Sequence, residues 1–276
     1  MTAPFLAAVV QMTTTADRGA NRATAERLIR QAASHGAAVV ALPEMWPFIG
    51  NREDQLANAE STGGPTVALL RGLGAELGIT LFGGTFAERA ESGDKVYNTG
   101  FVTGPSGDLL ASYRKIHLFD IDVPGGAQLT ESADFIPGSR AVTVDTVHGR
   151  FGMSTCYDLR FPALYQCLRD AGAEFMLVPS AFTAHTGKDH WEVLLRARAI
   201  EQQVYVLAPD QTGWHNKGRQ SHGHSMIVDP WGLVVGRASD GEGIALATLD
   251  PARVARVRTQ LPCGDHARPF SKPGSS

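Results

Sequence analysis

The stretch Phe151-Gly152-Met153-Ser154-Thr155-Cys156-Tyr157-Asp158-Leu159-Arg160-Phe161-Pro162 changes character in its middle. A strand-like run stops at the cysteine, and a helix-like run begins just after it. This reads as strand, tight turn and helix, and it places a thiol at a strand end beside the N–H groups of a helix start. Such groups favour negative charge, so they favour a thiolate or a developing oxyanion. The alternative is a buried cysteine acting as a small hydrophobe. The other cysteines are Cys167 and Cys263, too few for a disulfide framework.

Outward from this stretch the alternation continues. Residues 5–11 and 37–42 are apolar runs of strand length, the second closed by Pro43. Residues 16–34 carry helical spacing at Ala20, Ala23, Leu28 and Ala32, and 66–77 look helical behind Pro65, where helix starts accept proline. Residues 80–86 and 96–103 read as strands. The turn Gly104-Pro105-Ser106-Gly107-Asp108 lets 109–114 pair back as a hairpin. In the second half, 141–145, 150–155, 175–179, 204–208, 225–229, 233–237 and 243–249 are strand-like, whereas 161–171, 190–203 and 251–260 are helical. Strands and helices that interleave along the whole chain predict a layered α/β fold, a single domain over residues 1–270. The hairpins predict mixed sheets. Residues 271–276 read as a disordered tail.

Bulk composition narrows the function classes. The chain has 276 residues, 43% hydrophobic and 19% charged, with net charge −3. That balance argues against nucleic acid or anionic membrane as a partner, since both need a basic surface. No apolar run is long enough to span a bilayer. Residues 1–11 lack a basic segment and read as a first strand rather than a secretory signal. Three cysteines suit a reducing compartment, so a cytoplasmic location is expected. No cofactor is expected. Residues 213–218 approach a phosphate loop, but Arg219-Gln220 follow where Lys-Ser/Thr is needed. Gly-x-Gly-x-x-Gly after a strand, His-Glu-x-x-His, Cys-x-x-Cys and Gly-x-Ser-x-Gly are all absent. His215, His222 and His224 lack ligand spacing and read as loop histidines, so no metal is expected.

Three ionisable residues each stand just past an apolar strand run: Glu44 after Leu42-Pro43, Lys115 after Tyr113-Arg114, and Cys156 after Ser154-Thr155. In α/β sheets the carboxyl ends of strands are where ligands are handled, so separate strands can bring these three together. A thiol near its free pKa is mostly protonated at neutral pH and needs a base. Glu44 can be that base, and Lys115 can hold both a thiolate and an oxyanion. Taken singly, Glu44 also reads as a surface or capping carboxylate and Lys115 as an exposed basic residue.

The motifs Leu42-Pro43-Glu44, Tyr113-Arg114-Lys115-Ile116-His117-Leu118-Phe119 and Cys156-Tyr157-Asp158-Leu159-Arg160-Phe161-Pro162 resemble, in order and approximate spacing, those of the nitrilase (carbon–nitrogen hydrolase) superfamily. The resemblance runs from about Phe5 to Leu261. It implies a Glu44–Lys115–Cys156 catalytic set, with Glu131 as a second, positioning glutamate. It also implies a four-layer αββα sandwich that forms homodimers. The backbone N–H of Tyr157 is expected to join Lys115 at the oxyanion.

The segments Pro179-Ser180-Ala181-Phe182, Thr186-Gly187, His190-Trp191-Glu192-Val193-Leu194-Leu195-Arg196-Ala197-Arg198-Ala199-Ile200-Glu201 and Gly223-His224-Ser225-Met226 resemble the Nit branch. That branch contains amidases acting on 2-oxo acid amides, and the wording is closer to its deaminated-glutathione amidases than to its ω-amidases, which act on 2-oxoglutaramate. N-carbamoyl amine hydrolysis, nitrile hydrolysis or ligand binding without turnover are the more distant readings. Arg160 can fork onto a substrate carboxylate, or else pair with a nearby acid. The resemblance sets Phe182 and Thr186 over the acyl pocket, although Phe182 also reads as core. Trp191, Arg196 and Arg198 read as packing and salt-bridge residues. Two segments depart from the pattern or resist assignment: Leu261-Pro262-Cys263-Gly264-Asp265-His266, and the loop from Thr212 to Gln220.

Overall fold

The computed structural model describes residues 3–122 and 128–270; the expected tail at 271–276 lies outside the described residues. In chain order the first half holds β1 (Phe5–Gln11), α1 (Arg18–Ser34), β2 (Val39–Ala41), α2 (Arg52–Ala57), α3 (Pro65–Leu77), β3 (Thr80–Arg89), β4 (Val96–Thr103) and β5 (Leu109–Arg114). A small ribbon, β6 (Asp120–Asp122) with β7 (Gln128–Thr130), leads to β8 (Val142–Thr146), β9 (Gly149–Met153), α4 (Pro162–Asp170), β10 (Phe175–Leu177), α5 (Ala184–Gln202) and β11 (Tyr205–Ala208). A second ribbon, β12 (Thr212–Asn216) with β13 (Arg219–His222), precedes β14 (Met226–Val228), β15 (Val234–Arg237), β16 (Gly243–Leu249), α6 (Pro251–Gln260) and α7 (Cys263–His266).

Among the described residues the strands form two six-stranded sheets, in the orders β16-β1-β2-β3-β4-β5 and β15-β14-β11-β10-β9-β8. Both are mixed, as the hairpin signals predict. The centre β1-β2-β3 is parallel and its flanking pairs antiparallel. The second sheet repeats this pattern, with β9-β10-β11 as its parallel centre.

Strand periodicity creates the layers. In β1, Ala7 and Val9 face one cluster while Ala8 and Val10 face another, because successive side chains point to opposite faces. The first cluster lies between the sheets and gathers Phe82 and Tyr113 from one with Phe151, Phe175 and Leu207 from the other. The second packs Leu28 and Ile29 of α1 and Leu70 of α3 on the outer face of the first sheet. A third packs Leu168 of α4 and Trp191 and Leu195 of α5 on the outer face of the second. The order is therefore helix, sheet, sheet, helix. Each large apolar side chain buried this way contributes about 1.5–3 kcal/mol. No helix among the described residues is long and apolar enough to cross a membrane.

Several boundaries differ from the sequence expectation for local reasons. Helix α1 starts at Arg18 rather than at 16, because the Asp17 carboxylate accepts the Ala20 N–H at 3.0 Å and caps it. Helix α5 starts at Ala184, six residues before the expected 190; its first turn, Ala-His-Thr-Gly, has no apolar periodicity to read. Strand β3 runs on to Arg89 past a register shift between Phe82 and Thr85, where Gly84 adopts φ +55°. The unassigned loop at 212–220 is a hairpin. Trp191 and Arg198 are buried: the Trp191 indole N–H donates to the His224 carbonyl at 3.0 Å, and the Arg198 guanidinium donates to the Leu159 carbonyl.

Candidate active site

Three strand ends converge at one rim of the sandwich. The chain leaves β2 through Leu42 and Pro43, and Glu44 turns inward, its N–H donating to the Ser180 carbonyl at 3.4 Å. Lys115 directly follows β5; its N–H donates to the Asn98 carbonyl and its carbonyl accepts from Gly138, so it is held on both sides. Cys156 follows β9 and opens a single 3-10 turn, Cys156–Arg160, ahead of α4. Its φ of +46° is left-handed, a strained conformation for a residue with a Cβ. The Cys156 N–H donates to the Pro179 carbonyl at 3.0 Å, which fixes the turn against the loop after β10.

Asp158 holds this turn from within. It is fully buried. Its Oδ1 accepts the His117 N–H at 3.0 Å and meets His117 Nδ1 at 2.7 Å. Its Oδ2 accepts the Thr155 N–H at 2.9 Å and the Tyr113 hydroxyl at 2.6 Å. One carboxylate thus ties the nucleophile turn to the strand that delivers Lys115.

The four side chains Glu44, Lys115, Glu131 and Cys156 line one cavity of about 240 Å³. The Lys115 ammonium donates to Glu44 Oε1 at 3.0 Å and to both Glu131 oxygens at 2.9 and 2.8 Å. Glu44 Oε1 also accepts from the Asn98 amide at 2.8 Å, and its Oε2 accepts the Ala181 N–H at 2.8 Å. Glu131 begins a short 3-10 turn and accepts the Phe119 N–H at 2.6 Å, so its position is set by backbone as well as by Lys115.

The charges of the site follow from these contacts. Burial pushes the Glu44 carboxyl up, but the Lys115 ammonium and hydrogen bonds from Lys115, the Cys156 thiol and the Ala181 N–H outweigh it, and its pKa lies below the ordinary value. Burial works against the Lys115 ammonium, yet the Glu131 and Glu44 carboxylates hold its pKa above the usual range. Burial and the Glu44 charge push the Cys156 thiol well up, against the opposing effect of Lys115. The resting site is therefore carboxylate, ammonium and neutral thiol. A proton moves from sulfur to Glu44 only when the sulfur finds an electrophile, because the thiolate is costly until then.

The residues expected to touch substrate lie on the nucleophile turn and on the loop and helix after β10. Arg160 meets His190 Nδ1 at 3.3 Å and sits 5.3 Å over the Phe182 ring. Phe182 belongs to the core cluster of the second sheet. The Thr186 hydroxyl meets that of Thr183 at 2.8 Å. None of these three side chains is among the cavity lining, whereas Asn51, Gln55, Thr183 and Arg219 are. Asn98, Asp158 and Asp210 were not legible in sequence. Each is a polar residue in or after an apolar run, a weak signal that gains meaning only when burial is known. Asp210 is fully buried and accepts the Phe182 and Gly223 N–H groups at 2.9 and 3.1 Å; burial first, with the Glu44 charge, pushes its carboxyl well up. Of the loop histidines, His215 is buried between the Thr14 carbonyl and the Ser221 hydroxyl, and His222 and His224 lie ring to ring at 4.8 Å. Among the described residues no cluster of three or more His, Cys, Asp or Glu side chains is placed to hold a metal ion.

A strained cysteine at a strand end, a buried lysine and paired glutamates on a four-layer sandwich define a hydrolase of carbon–nitrogen bonds, and comparison with known proteins agrees. The carbon–nitrogen hydrolase family's sequence profile matches residues 6–259. A Synechocystis protein named deaminated glutathione amidase is 43% identical over 267 residues, 95% of this chain and 98% of its own. The C. elegans NitFhit structure, a fusion of a nitrilase with a fragile histidine triad protein, superposes with a TM-score of 0.92 at 41% identity. It covers 97% of this chain, which in turn spans 66% of NitFhit. Saccharomyces cerevisiae Nit3, a member of branch 10 of the nitrilase superfamily, superposes with a TM-score of 0.85 at 32% identity, covering 99% and 97% of the two chains. The chain belongs to the carbon–nitrogen hydrolase family.

Proposed function

We propose that the protein is an amidase that hydrolyses the amide of a small 2-oxo acid, with deaminated glutathione as its substrate, through a cysteine thioester. The observation that carries this reading is the meeting of the Cys156 thiol, the Glu44 carboxylate and the Lys115 ammonium at one cavity. The substrate comes from the relatives of that name at 43–44% identity.

The chemistry follows from the charges. Glu44 accepts the thiol proton as sulfur attacks the amide carbon, so that a C–S bond forms and the carbonyl π pair moves to oxygen. The Lys115 ammonium and the Tyr157 N–H, in a first turn whose N–H groups lack helical partners, hold that oxyanion. Collapse breaks the C–N bond while Glu44 returns its proton to the departing nitrogen. Water then attacks the thioester and gives a proton to Glu44. The acid leaves, and the expelled thiolate takes that proton back. Glu131 keeps the ammonium in place. The covalent intermediate divides the hard step, so no cofactor or metal is needed. Arg160, Phe182 and Thr186, beside the lining loop of Ala181 and Thr183, complete the substrate-binding side of the site.

Acid release from deaminated glutathione and from 2-oxoglutaramate, with Cys156→Ala as control, tests the reading. A much higher kcat/KM for deaminated glutathione, abolished in the variant, is the expected result. Preference for 2-oxoglutaramate moves the protein to the ω-amidases, and turnover by Cys156→Ala refutes the mechanism.

We also propose a cytoplasmic homodimer. Cys156, Cys167 and Cys263 are all free thiols, which suits a reducing compartment. Val193, Ile200, Trp231 and Leu233 are exposed, and Ile200 packs over Gly232, which makes one apolar surface of α5 and the turn before β15. A monomer mass by light scattering would refute the dimer, and recovery of the protein in the secreted fraction the location.

A further inference from the structure

The cavity is built for more than the four reacting side chains. Lys115 shares its charge between Glu44 and Glu131, so it has little left for an anionic substrate. Among the described residues the other cation in the lining is Arg219, and there it forms no salt bridge. Arg219 opens β13 in the hairpin that the sequence left unassigned.

That hairpin is anchored from two sides. On one, the buried His215 meets the Thr14 carbonyl at 2.7 Å and the Ser221 hydroxyl at 2.8 Å, and the Thr13 hydroxyl donates to the Thr212 carbonyl at 2.8 Å. On the other, Ser221 bridges to Thr183, and the His222 N–H donates to the Phe182 carbonyl at 2.8 Å. Thr183 and Ala181 are themselves cavity lining, and the Ala181 N–H is bonded to Glu44. The arm carrying Arg219 is therefore fastened to the same loop that orients the catalytic base. Preorganisation of this kind lowers the entropy lost when a ligand is gripped. A guanidinium offers a planar fork that fits a carboxylate through two parallel bonds.

We propose that Arg219 binds a carboxylate of the substrate and sets specificity for acidic amides. The assignment rests on the 2-oxo acid amide reading above. Deaminated glutathione carries two carboxylates, one beside the ketone of the acyl part and one at the end of the departing peptide. 2-Oxoglutaramate carries only the first.

Arg219→Ala and Arg219→Lys, assayed on both substrates, separate these sources. A KM raised at least ten-fold for both substrates, with kcat little changed, assigns Arg219 to the acyl-side carboxylate. The same rise for deaminated glutathione alone assigns it to the leaving side. In either case Arg219→Lys recovers part of the loss, since a single ammonium keeps the charge but not the fork. Iodoacetamide labelling of Cys156 and the thermal midpoint should stay at wild-type values; a merely structural role would move them. KM within two-fold of wild type for both substrates overturns the proposal. Absence of wild-type turnover is a failure of the functional reading alone. Arg219 is then judged by whether glutarate protects Cys156 from iodoacetamide in the wild type and at least ten-fold less well in Arg219→Ala; equal protection, or none, overturns it.

Discussion

Replacing Asp158 by Asn tests whether one buried carboxylate holds the nucleophile turn. Each of its oxygens accepts from a backbone N–H and a side chain: Oδ1 from His117 N–H and Nδ1, Oδ2 from Thr155 N–H and the Tyr113 hydroxyl. An asparagine has one acceptor oxygen and one donor NH2. Whichever way the amide is turned, its NH2 faces a backbone N–H, of His117 in one orientation and of Thr155 in the other. The Tyr113 hydroxyl can rotate to accept, and His117 can change tautomer, but the backbone N–H cannot adapt. One orphaned buried donor costs about 1–3 kcal/mol, and loss of the charge weakens the surviving bonds by about 1 kcal/mol more. The expected destabilisation is about 2–4 kcal/mol, which for a chain of this size lowers the thermal midpoint by about 5–12 °C. Because Thr155 and Asp158 define the turn that forces Cys156 to φ +46°, kcat should fall about ten-fold or more as the sulfur loses its aim. Differential scanning calorimetry and steady-state kinetics read both effects, with Tyr113→Phe as the control. That variant deletes the bond to Oδ2 and the longer one, 3.3 Å, from the Ile116 N–H, but leaves the His117 and Thr155 N–H groups on Asp158, so it should lose less. A midpoint for Asp158→Asn within about 2 °C of wild type, or no lower than that of Tyr113→Phe, refutes the reasoning.

Glu131→Gln should lower kcat about ten- to hundred-fold with a smaller effect on KM, because two bonds from Lys115 to a carboxylate, at 2.9 and 2.8 Å, become one to an uncharged amide oxygen; stopped-flow acylation rates equal to wild type would contradict it. The depressed pKa of Glu44 gives stability that is present above the ordinary carboxylate value near ~4.3 and lost as pH falls through the lower folded value. Urea melts should therefore show the wild type losing ground to Glu44→Gln below about pH 4, and a difference that does not change with pH would sink the assignment. Gly84→Ala should destabilise by about 3 kcal/mol or more or prevent folding, since φ is +55° and a Cβ there would stand 2.0 Å from the Pro43 carbonyl, just before Glu44; a soluble variant with a wild-type midpoint would show the contact to be relieved.

The cysteine, the lysine and the first glutamate stand out in sequence because each follows a strand-like run; β2 and β9 are largely buried, whereas β5 ahead of Lys115 is mostly exposed. The apolar runs at 5–11 and 175–179 likewise announce strands, whereas the stacking into four layers was implied only by the family resemblance. Chain chemistry also excluded a phosphate loop and a basic surface. Local sequence fails where a contact spans many residues. Asp158 reaches Tyr113 across 45 positions, Glu44 reaches the Ala181 N–H across 137, and His215 reaches Thr14 across 201.

The substrate side shows the same division. Arg160 stands four residues past the nucleophile in sequence, and only the fold sets it over the Phe182 ring and against His190. Arg219 lay in an unreadable polar segment, and it lines the cavity because a hairpin distant in sequence folds over the strand ends. Local sequence determined the strands, the helices and the residue types able to form a thioester, since these depend on neighbours a few positions apart. Only tertiary structure decided which charges meet and which are buried, because burial and pairing depend on segments brought together through space.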